Sequence, residues 1–383
     1  MTPPHVAPDS PGAVLQLIRS GKATSRSDLA KRIGVSASTA GGRVQALIDH
    51  GYVREAGDGR SHGGRRPRRL ELNPDYGLVA GADLGSHHVA IGVFDICGRL
   101  RDEVRNEIEI SDGPAHVLAT LCEDIEHLAD PAIPLRGIVV GLPGPVDART
   151  GRVVTPSRMP GWHGADARDW LIELSKLPVI VDNDANLMAL GEHRATPVDH
   201  LVFLKAGTGI GCGVIAQGTL HRGAVGAAGD ISHLPVPGYE HVSCSCGRNG
   251  CLDAVASGAA LVRDLAAAGT KVREPADVVV LAGDADPVAT RLLREAGRAT
   301  GEVLATIVNF FNPNVLVIGG QLSRAEPFVA SIRSTLYERS LPMATEDLQV
   351  LVSRTGERAG TMGGAHLMLE HLLDPERVNL EIG

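Results

Sequence analysis

Aromatic side chains are scarce in this 383-residue chain: two Trp, four Tyr and five Phe, 3% of the total. Glycine, by contrast, is abundant at 46 residues, a balance suited to tight turns and close helix packing. No apolar run approaches the roughly 20 residues that span a bilayer, which excludes a transmembrane helix. No secretory hydrophobic region follows Met1. The proline-rich opening Thr2-Pro3-Pro4-His5-Val6-Ala7-Pro8-Asp9-Ser10 reads as disordered over residues 1–10. Only six cysteines are present, and Cys97, Cys122 and Cys212 lie in apolar segments as expected buried free thiols. The expected location is cytoplasmic, with no membrane partner. Hydrophobic content of 43% and a length of 383 residues suit two or three globular domains.

Net charge is −8, from 37 Lys and Arg against 45 Asp and Glu. Residues 1–72 hold 12 basic and 6 acidic side chains, a net of +6, so the other 311 carry 25 against 39, a net of −14. A basic module on an acidic body points to a polyanion partner for the first and not the second. The remaining cysteines fall in one segment, Cys244-Ser245-Cys246-Gly247-Arg248-Asn249-Gly250-Cys251, with His233 upstream. Three thiolates and an imidazole make a four-ligand set for tetrahedral Zn2+. With no open position for a catalytic water, the zinc is structural. Gly247 and Gly250 let the chain turn tightly enough for three sulfurs to reach one ion. The alternative is a disulfide with a spare thiol, and adjacent Cys-x-Cys pairs bridge poorly.

Within the basic module, Val14, Leu17 and Ile18 have one-faced helical spacing over residues 11–20. Ser25 reads as the cap of a second helix, with Asp28 reaching back as in a capping box, and Gly34 ends it. Ser36 caps a third helix running to about His50, with Val44, Leu47 and Ile48 inward and Gly51 as its stop. That is helix-turn-helix spacing, and the second helix of such a pair enters the major groove by its amino-terminal end. Ser36, Ala37, Ser38, Thr39 and Arg43 are therefore candidate DNA contacts. Tyr52–Glu55 and Arg68–Leu72 alternate as a hairpin around a Gly-rich tip carrying Arg65, Arg66 and Arg68, which makes a winged helix-turn-helix. A three-helix interaction module with a solvated basic face is the plainer alternative.

From Leu78 the pattern becomes α/β. Strands are expected at Leu78–Gly85, Val89–Asp95, Arg105–Ile110 and Gly137–Gly141, with a helix at Pro114–Leu128. The second half echoes the first: Leu201–Leu204, the turn Gly207-Thr208-Gly209-Ile210-Gly211, Cys212–Ala216, and Val315–Ile318 followed by Gly319-Gly320. Two lobes, each opening with a hairpin on a Gly-rich turn, describe a two-lobed actin-like ATPase (ribonuclease H-like) fold. In that fold the turns cradle nucleotide phosphates.

Several of these motifs together resemble the ROK family of repressors, open reading frames and sugar kinases, in particular its regulators with an amino-terminal winged helix-turn-helix. The matches are the Cys-x-Cys-Gly-x-x-Gly-Cys segment with His233, Gly141-Leu142-Pro143-Gly144-Pro145-Val146-Asp147, and Asp182-Asn183-Asp184-Ala185-Asn186. Gly207–Gly211, Asn312-Pro313 with Ile318-Gly319-Gly320, and the wing Gly63-Gly64-Arg65-Arg66-Pro67 add to them. The resemblance implies a disordered lead (1–10), a winged helix-turn-helix domain (11–74) and a sugar-kinase-like effector-binding and dimerisation domain (75–383). In the kinases, the residue matching Asp184 is the base that takes the proton of the attacking sugar hydroxyl. By the same resemblance Asn183, Asp230, His233 and Asp253 contact sugar, His233 using one nitrogen for zinc and the other for a hydroxyl.

Departures from the family pattern bear on catalysis. The nucleotide set implied is Asp83, Gly85, Gly207, Thr208, Gly209, Gly319 and Gly320. The first phosphate turn, usually Asp-x-Gly-Gly-Thr, continues here as Ser86-His87-His88, putting two imidazoles where backbone should approach phosphate. Asp for Glu at 230 and 253 withdraws each carboxylate by about 1.5 Å. The expectation is a sugar-responsive DNA-binding transcriptional regulator, a repressor, with a degenerate kinase site. It would be a homodimer or homotetramer on a double-stranded inverted-repeat operator, with a sugar or sugar-derivative effector. The alternatives are an active ATP-dependent, glucokinase-like sugar kinase that also binds DNA, with Asp184 catalytic, and a scaffold that binds no DNA.

Overall fold

The computed structural model describes residues 7–58 and 68–383. Ser10 caps α1 (Pro11–Arg19) by accepting from Ala13 N at 3.3 Å. Ser25 caps α2 (Arg26–Ile33) by accepting from Asp28 N at 3.2 Å, and Gly34 ends the helix in the left-handed region at φ 70°. The other half of the expected capping box is replaced: Asp28 Oδ2 takes the Thr24 hydroxyl at 3.4 Å. Ser36 caps α3 (Ala37–Asp49), which buries Val44 and Leu47. The expected hairpin is β1 (Val53–Asp58) against β2 (Arg68–Leu72), with Val53 opposite Leu72. Of the lead expected to be disordered, residues 1–6 lie outside the described residues, while Ser10 N donates to Ala7 O at 2.9 Å in a turn. Arg65 and Arg66 of the expected wing also lie outside the described residues.

The body holds two five-stranded sheets of matching order. The first lobe comprises β3 (Leu78–Leu84), β4 (His88–Asp95), β5 (Leu100–Glu107), α4 (Pro114–Leu128), β6 (Leu135–Leu142), a ribbon of β7 (Val146–Asp147) and β8 (Arg152–Val153), α5 (Ala167–Ser175) and β9 (Val179–Asn183). Its sheet runs β5-β4-β3-β6-β9. The second lobe follows α6 (Asp184–Ala195) with β10 (Leu201–Ala206), β11 (Ile210–Ala216) and β12 (Thr219–Leu220). Helices α7 (Leu252–Ala256), α8 (Gly258–Ala267), α9 (Pro275–Gly283), α10 (Pro287–Phe311), α11 (Glu326–Arg339) and α12 (Pro342–Thr345) share a core with that sheet. Strands β13 (Val315–Gly319) and β14 (Gln349–Val352) complete the order β12-β11-β10-β13-β14. In each sheet the first three strands are antiparallel and the rest join in parallel. The duplicated architecture expected from the Gly-rich turns is therefore present.

One strand is displaced. The third was expected at Arg105–Ile110, but β5 spans Leu100–Glu107 and is largely exposed, while Ile108 and Ile110 turn inward beyond its end. The apolar signal belonged to those two isoleucines. The strand itself is a charged edge, the usual protection of an unpaired ladder. Cys97 corrects a second expectation: it lies exposed in the turn between β4 and β5, whereas Cys122 and Cys212 are buried.

Two helices close the chain, α13 (Ala359–Leu372) and α14 (Pro375–Ile382). Helix α13 packs between the lobes, crossing α6 at backbone contact. A Cβ on Gly363 would stand 1.8 Å from Leu187 O, one on Gly191 2.0 Å from Ala359 O, and one on Gly81 2.2 Å from Thr361 O. The basic module sits on the far end of α13 and on α14. Gly12 N donates to Asn379 Oδ1 at 2.8 Å, Gln16 Nε2 to Leu373 O at 2.5 Å, and Arg19 pairs with Glu370 at 2.6 Å. Buried Tyr52 stacks on Tyr76 with centroids 4.4 Å apart and bonds the Glu381 carboxylate. Gly363→Ala should therefore destabilise the fold by about 1–3 kcal/mol or more, as overpacking against backbone does. A urea midpoint unchanged from the parent would refute the close crossing.

Candidate functional site

The cysteine segment folds back on itself through short bridges pairing Ser243 with Asn249 and Pro235 with Cys251. Gly247 and Gly250 take positive φ (86° and 69°), and a Cβ on Gly250 would stand 3.2 Å from Tyr239 O. The result gathers His233, Cys244, Cys246 and Cys251, whose ligand atoms all lie within 4.8 Å of one another. Cys244 Sγ is 3.6 Å from His233 Nδ1, and Cys246 Sγ is 3.6 Å from Cys251 Sγ. Tetrahedral arms of about 2.3 Å place ligand atoms about 3.8 Å apart. The cluster can hold a metal ion, and all six cysteines are unbridged.

Beside it, a cavity of about 300 Å³ opens between the lobes. Asn183, Asp184, Asp230, His233 and Asp253 all line it, as do Asp83, Gly85, Gly207, Thr208, Gly209 and Gly320. Gly319 does not line it: it is buried in β13, where a Cβ would meet the Phe203 ring at 2.4 Å. Asn183 caps α6, accepting from Ala185 N at 3.0 Å and donating to Gly144 O at 3.1 Å. Asp184 is buried; its Oδ1 accepts from Ala185 N at 2.7 Å. Asp230 is exposed and accepts from the Ser232 hydroxyl at 2.5 Å. Asn186 is buried with Oδ1 unpartnered, and it too borders the cavity.

The two histidines of the first turn separate. His87 faces outward to Glu109 at 2.8 Å, so only His88 enters the cleft, correcting the expectation of two imidazoles there. A Cβ on Gly85 would stand 2.3 Å from the His88 ring. Burial, together with Arg105 and Lys205, lowers His88 to about 4, so the ring is neutral at neutral pH.

Four basic residues of the cleft escaped the sequence reading. Lys205 of β10 bonds Asp184 Oδ2. Arg158 binds buried Asp253 through Nε at 2.9 Å and Nη2 at 2.6 Å, while Asp253 Oδ1 accepts from Ile210 N at 3.0 Å. Arg105 and Arg324 both reach Glu357, at 2.7 and 2.9 Å. Lys205 left a signal, a charge inside Leu204-Lys205-Ala206 of an otherwise apolar strand. The arginines left none, because their partners lie far away in the chain.

On the basic module, Ser36, Ala37, Ser38 and Thr39 are exposed at the start of α3, and Ser36 Oγ accepts from Thr39 N at 3.0 Å. Arg43 is half-exposed, 3.7 Å from Asp9. Arg68 pairs with Glu55 at 2.7 Å, as does Arg26 at 3.1 Å.

Fold and site together define a duplicated, kinase-like body carrying a helix-turn-helix module. The ROK family model matches residues 79–371, and the IclR helix-turn-helix domain model matches residues 12–57. The chain belongs to the ROK family. It is 31% identical to the xylose repressor of Caldicellulosiruptor bescii, over 94% of this chain and 95% of that one. A crystal structure of a ROK family transcriptional regulator, a homolog of the E. coli MLC protein, matches with TM-score 0.79 at 27% identity, covering 97% of this chain and 98% of that one. A ROK family glucokinase from Streptomyces griseus, in complex with glucose and AMPPNP, matches with TM-score 0.68 at 28% identity, covering 76% of this chain and 99% of that one.

Burial pushes the Asp83 carboxyl up from 3.8 to about 7, against the pull of Lys205 and with the push of Asp184. A carboxyl raised in the folded state adds stability that is full below pH 3.8 and is lost as pH rises through about 7. Asp83→Asn should therefore gain stability over the parent between about pH 5 and about pH 8. Urea titrations at both values test this, and an equal difference at the two would remove the buried charge from the account.

Proposed function

We propose that the chain is a sugar-responsive DNA-binding transcriptional regulator, a repressor, with a structural zinc and a cleft that binds a sugar or sugar derivative without phosphorylating it. The observation that carries this reading is that Asn183, Asp184, Asp230, His233 and Asp253 border one cavity beside the metal cluster. Carboxylates, an amide and an imidazole supply the donors and acceptors that a polyhydroxyl ligand needs. Three thiolates and an imidazole suit zinc, which here would hold the loop carrying His233 and supply no chemistry of its own.

The proposed division is a lead (1–10), a winged helix-turn-helix domain (11–74) and an effector-binding and dimerisation domain (75–383). Ser36, Ala37, Ser38, Thr39 and Arg43 would meet DNA in the major groove, with Arg65, Arg66 and Arg68 from the wing. A homodimer or homotetramer would place two modules on an inverted-repeat operator in the cytoplasm. No helix among the described residues is long and apolar enough to cross a membrane. The relatives support a regulator over an enzyme: the xylose repressor matches along nearly the whole chain, module included. We read the nucleotide residues Asp83, Gly85, Gly207, Thr208, Gly209, Gly319 and Gly320 as a degenerate set. Ser86 and His88 stand in the first turn, and both of Asp184's carboxylate oxygens are already engaged.

A thermal-shift screen of neutral sugars and sugar phosphates, run with and without a chelator, tests the pocket and the metal together. At least one sugar should raise the melting temperature, and chelation should remove that response before the body unfolds. Duplex retention should fall steeply with salt, and Arg43→Ala should reduce the slope by about one. Turnover of ATP and sugar that vanishes in Asp184→Asn would establish the kinase instead.

A further inference from the structure

Lys205 is a cation deep in the cleft that the regulator reading does not use. It stands on β10 immediately before the turn Gly207-Thr208-Gly209, with its side chain 17% exposed, and it donates to Asp184 Oδ2. Asp184, at the first turn of α6, is 3% exposed and lines the cavity. Asp83, at the end of β3 in the first lobe, is also buried, lines the same cavity and lies within the electrostatic reach of Lys205. Helix α13 presses on Asp83 from behind: a Cβ on Gly360 would stand 2.6 Å from its Cγ. Two buried carboxylates at the ends of β3 and β9, facing one cleft that Lys205 enters from the second lobe, are the oxygen ligands a hard divalent cation takes. Phosphoryl transfer requires such a cation between carboxylate and phosphate.

We propose that the Lys205 ammonium is a built-in substitute for that divalent cation, supplying the positive charge beside Asp83 and Asp184 so that the cleft takes its ligand without a metal at this point. An ammonium is a compact point charge with three donors, suited to the place of a small cation between acids. A tethered charge also cannot leave, so Asp184 keeps its counter-charge in every ligand state. Uncompensated buried charge is strongly destabilising, which gives Lys205 a reason to persist in an apolar strand. Magnesium and a nucleotide triphosphate therefore do not fit this half of the cleft. The inference rests on the reading of the cleft as non-catalytic, and it assigns the cause of that state chiefly to Lys205, ahead of the lost glycine and threonine at 86 and 87.

Manganese titration followed by electron paramagnetic resonance tests it on the full-length, zinc-loaded chain. Mn2+ prefers oxygen ligands and leaves thiolate sites to softer ions. The parent should bind no Mn2+ at millimolar concentration. Lys205→Met, which keeps the bulk of the stem, should acquire one Mn2+ with affinity at least about tenfold above the parent's. The double variant Lys205→Met with Asp184→Asn should lose that site. Two results overturn the proposal: a parent that binds Mn2+ as tightly as Lys205→Met, or a cooperatively folded Lys205→Met that acquires no site. Should the variants fail to fold, the melting temperature of the parent decides: unchanged by Mn2+ it supports the substitution, raised by Mn2+ it overturns it. The two readings fail separately. Absence of any sugar response or of DNA binding removes the regulator and leaves the manganese result standing, whereas Mn2+ binding by the parent removes the role of Lys205 and leaves the sugar response standing.

Discussion

The backbone contact between α6 and α13 is the constraint on which the cleft depends. Glycines at 191 and 363 on the two helices, and at 81 on β3, let main chain meet main chain, with the nearest carbonyls about where a Cβ would be. A contact of that kind has no side chain to repack, so the two helices keep one spacing. Asp184 stands at the start of α6, and Asp83 lies against the start of α13. The two cleft acids end strands on either side of β6 in one sheet, and this crossing, which contains no functional group at all, fixes that sheet against the second lobe. From its cleft end, α13 runs 14 residues, about 21 Å of helix, to Glu370 and Leu373, where the basic module docks. Cleft and module are joined by one packed element, the kind of physical continuity that communication between two sites uses.

Charge matching organises the same region. Lys205 answers Asp184, Arg158 answers Asp253, Arg222 answers Asp182 at 2.7 Å, and Glu357 serves both Arg105 and Arg324. Buried charges persist only when paired and hydrogen-bonded, and each acid named here has its cation. The body carries a surplus of acid, yet the cleft is close to internally balanced. A cavity so arranged offers hydrogen-bond donors and acceptors without a strong field of either sign, which favours polyols over bare ions.

How much of this was legible depended on the range of the interaction. Local signals read well: the serine caps at 25 and 36, Gly34, the helix at 114–128, the paired Gly-rich turns, and the gathering of His233 with three cysteines. Each rests on spacing within a few residues or on a repeated turn. What the sequence could not disclose was partnership between distant residues. Arg158 and Asp253 stand 95 positions apart, Arg105 and Glu357 252, and Tyr52 and Glu381 329. The first-turn histidines were visible, but the outward pull of Glu109 on His87 was not. Cys97 misled because its flanking Phe94 and Ile96 are buried while the thiol itself sits in the turn. Asn183 and Asp184 line the cavity while their polar atoms also serve α6, so the loop-capping role and the proposed ligand-facing role fall on the same residues.

Asp253 shows the same double duty. Its Oδ1 takes the amide of Ile210, the first residue of β11 after the Gly-rich turn, while Oδ2 takes Arg158 from the opposite lobe. Asp253 lies two positions after Cys251, whose carbonyl starts α7 by accepting from Ala254 N at 2.9 Å and Val255 N at 3.1 Å. One short carboxylate therefore links the cysteine loop, the turn of the second lobe and a cation of the first lobe. The carboxylate is thereby fixed in the cavity wall as a junction between the lobes.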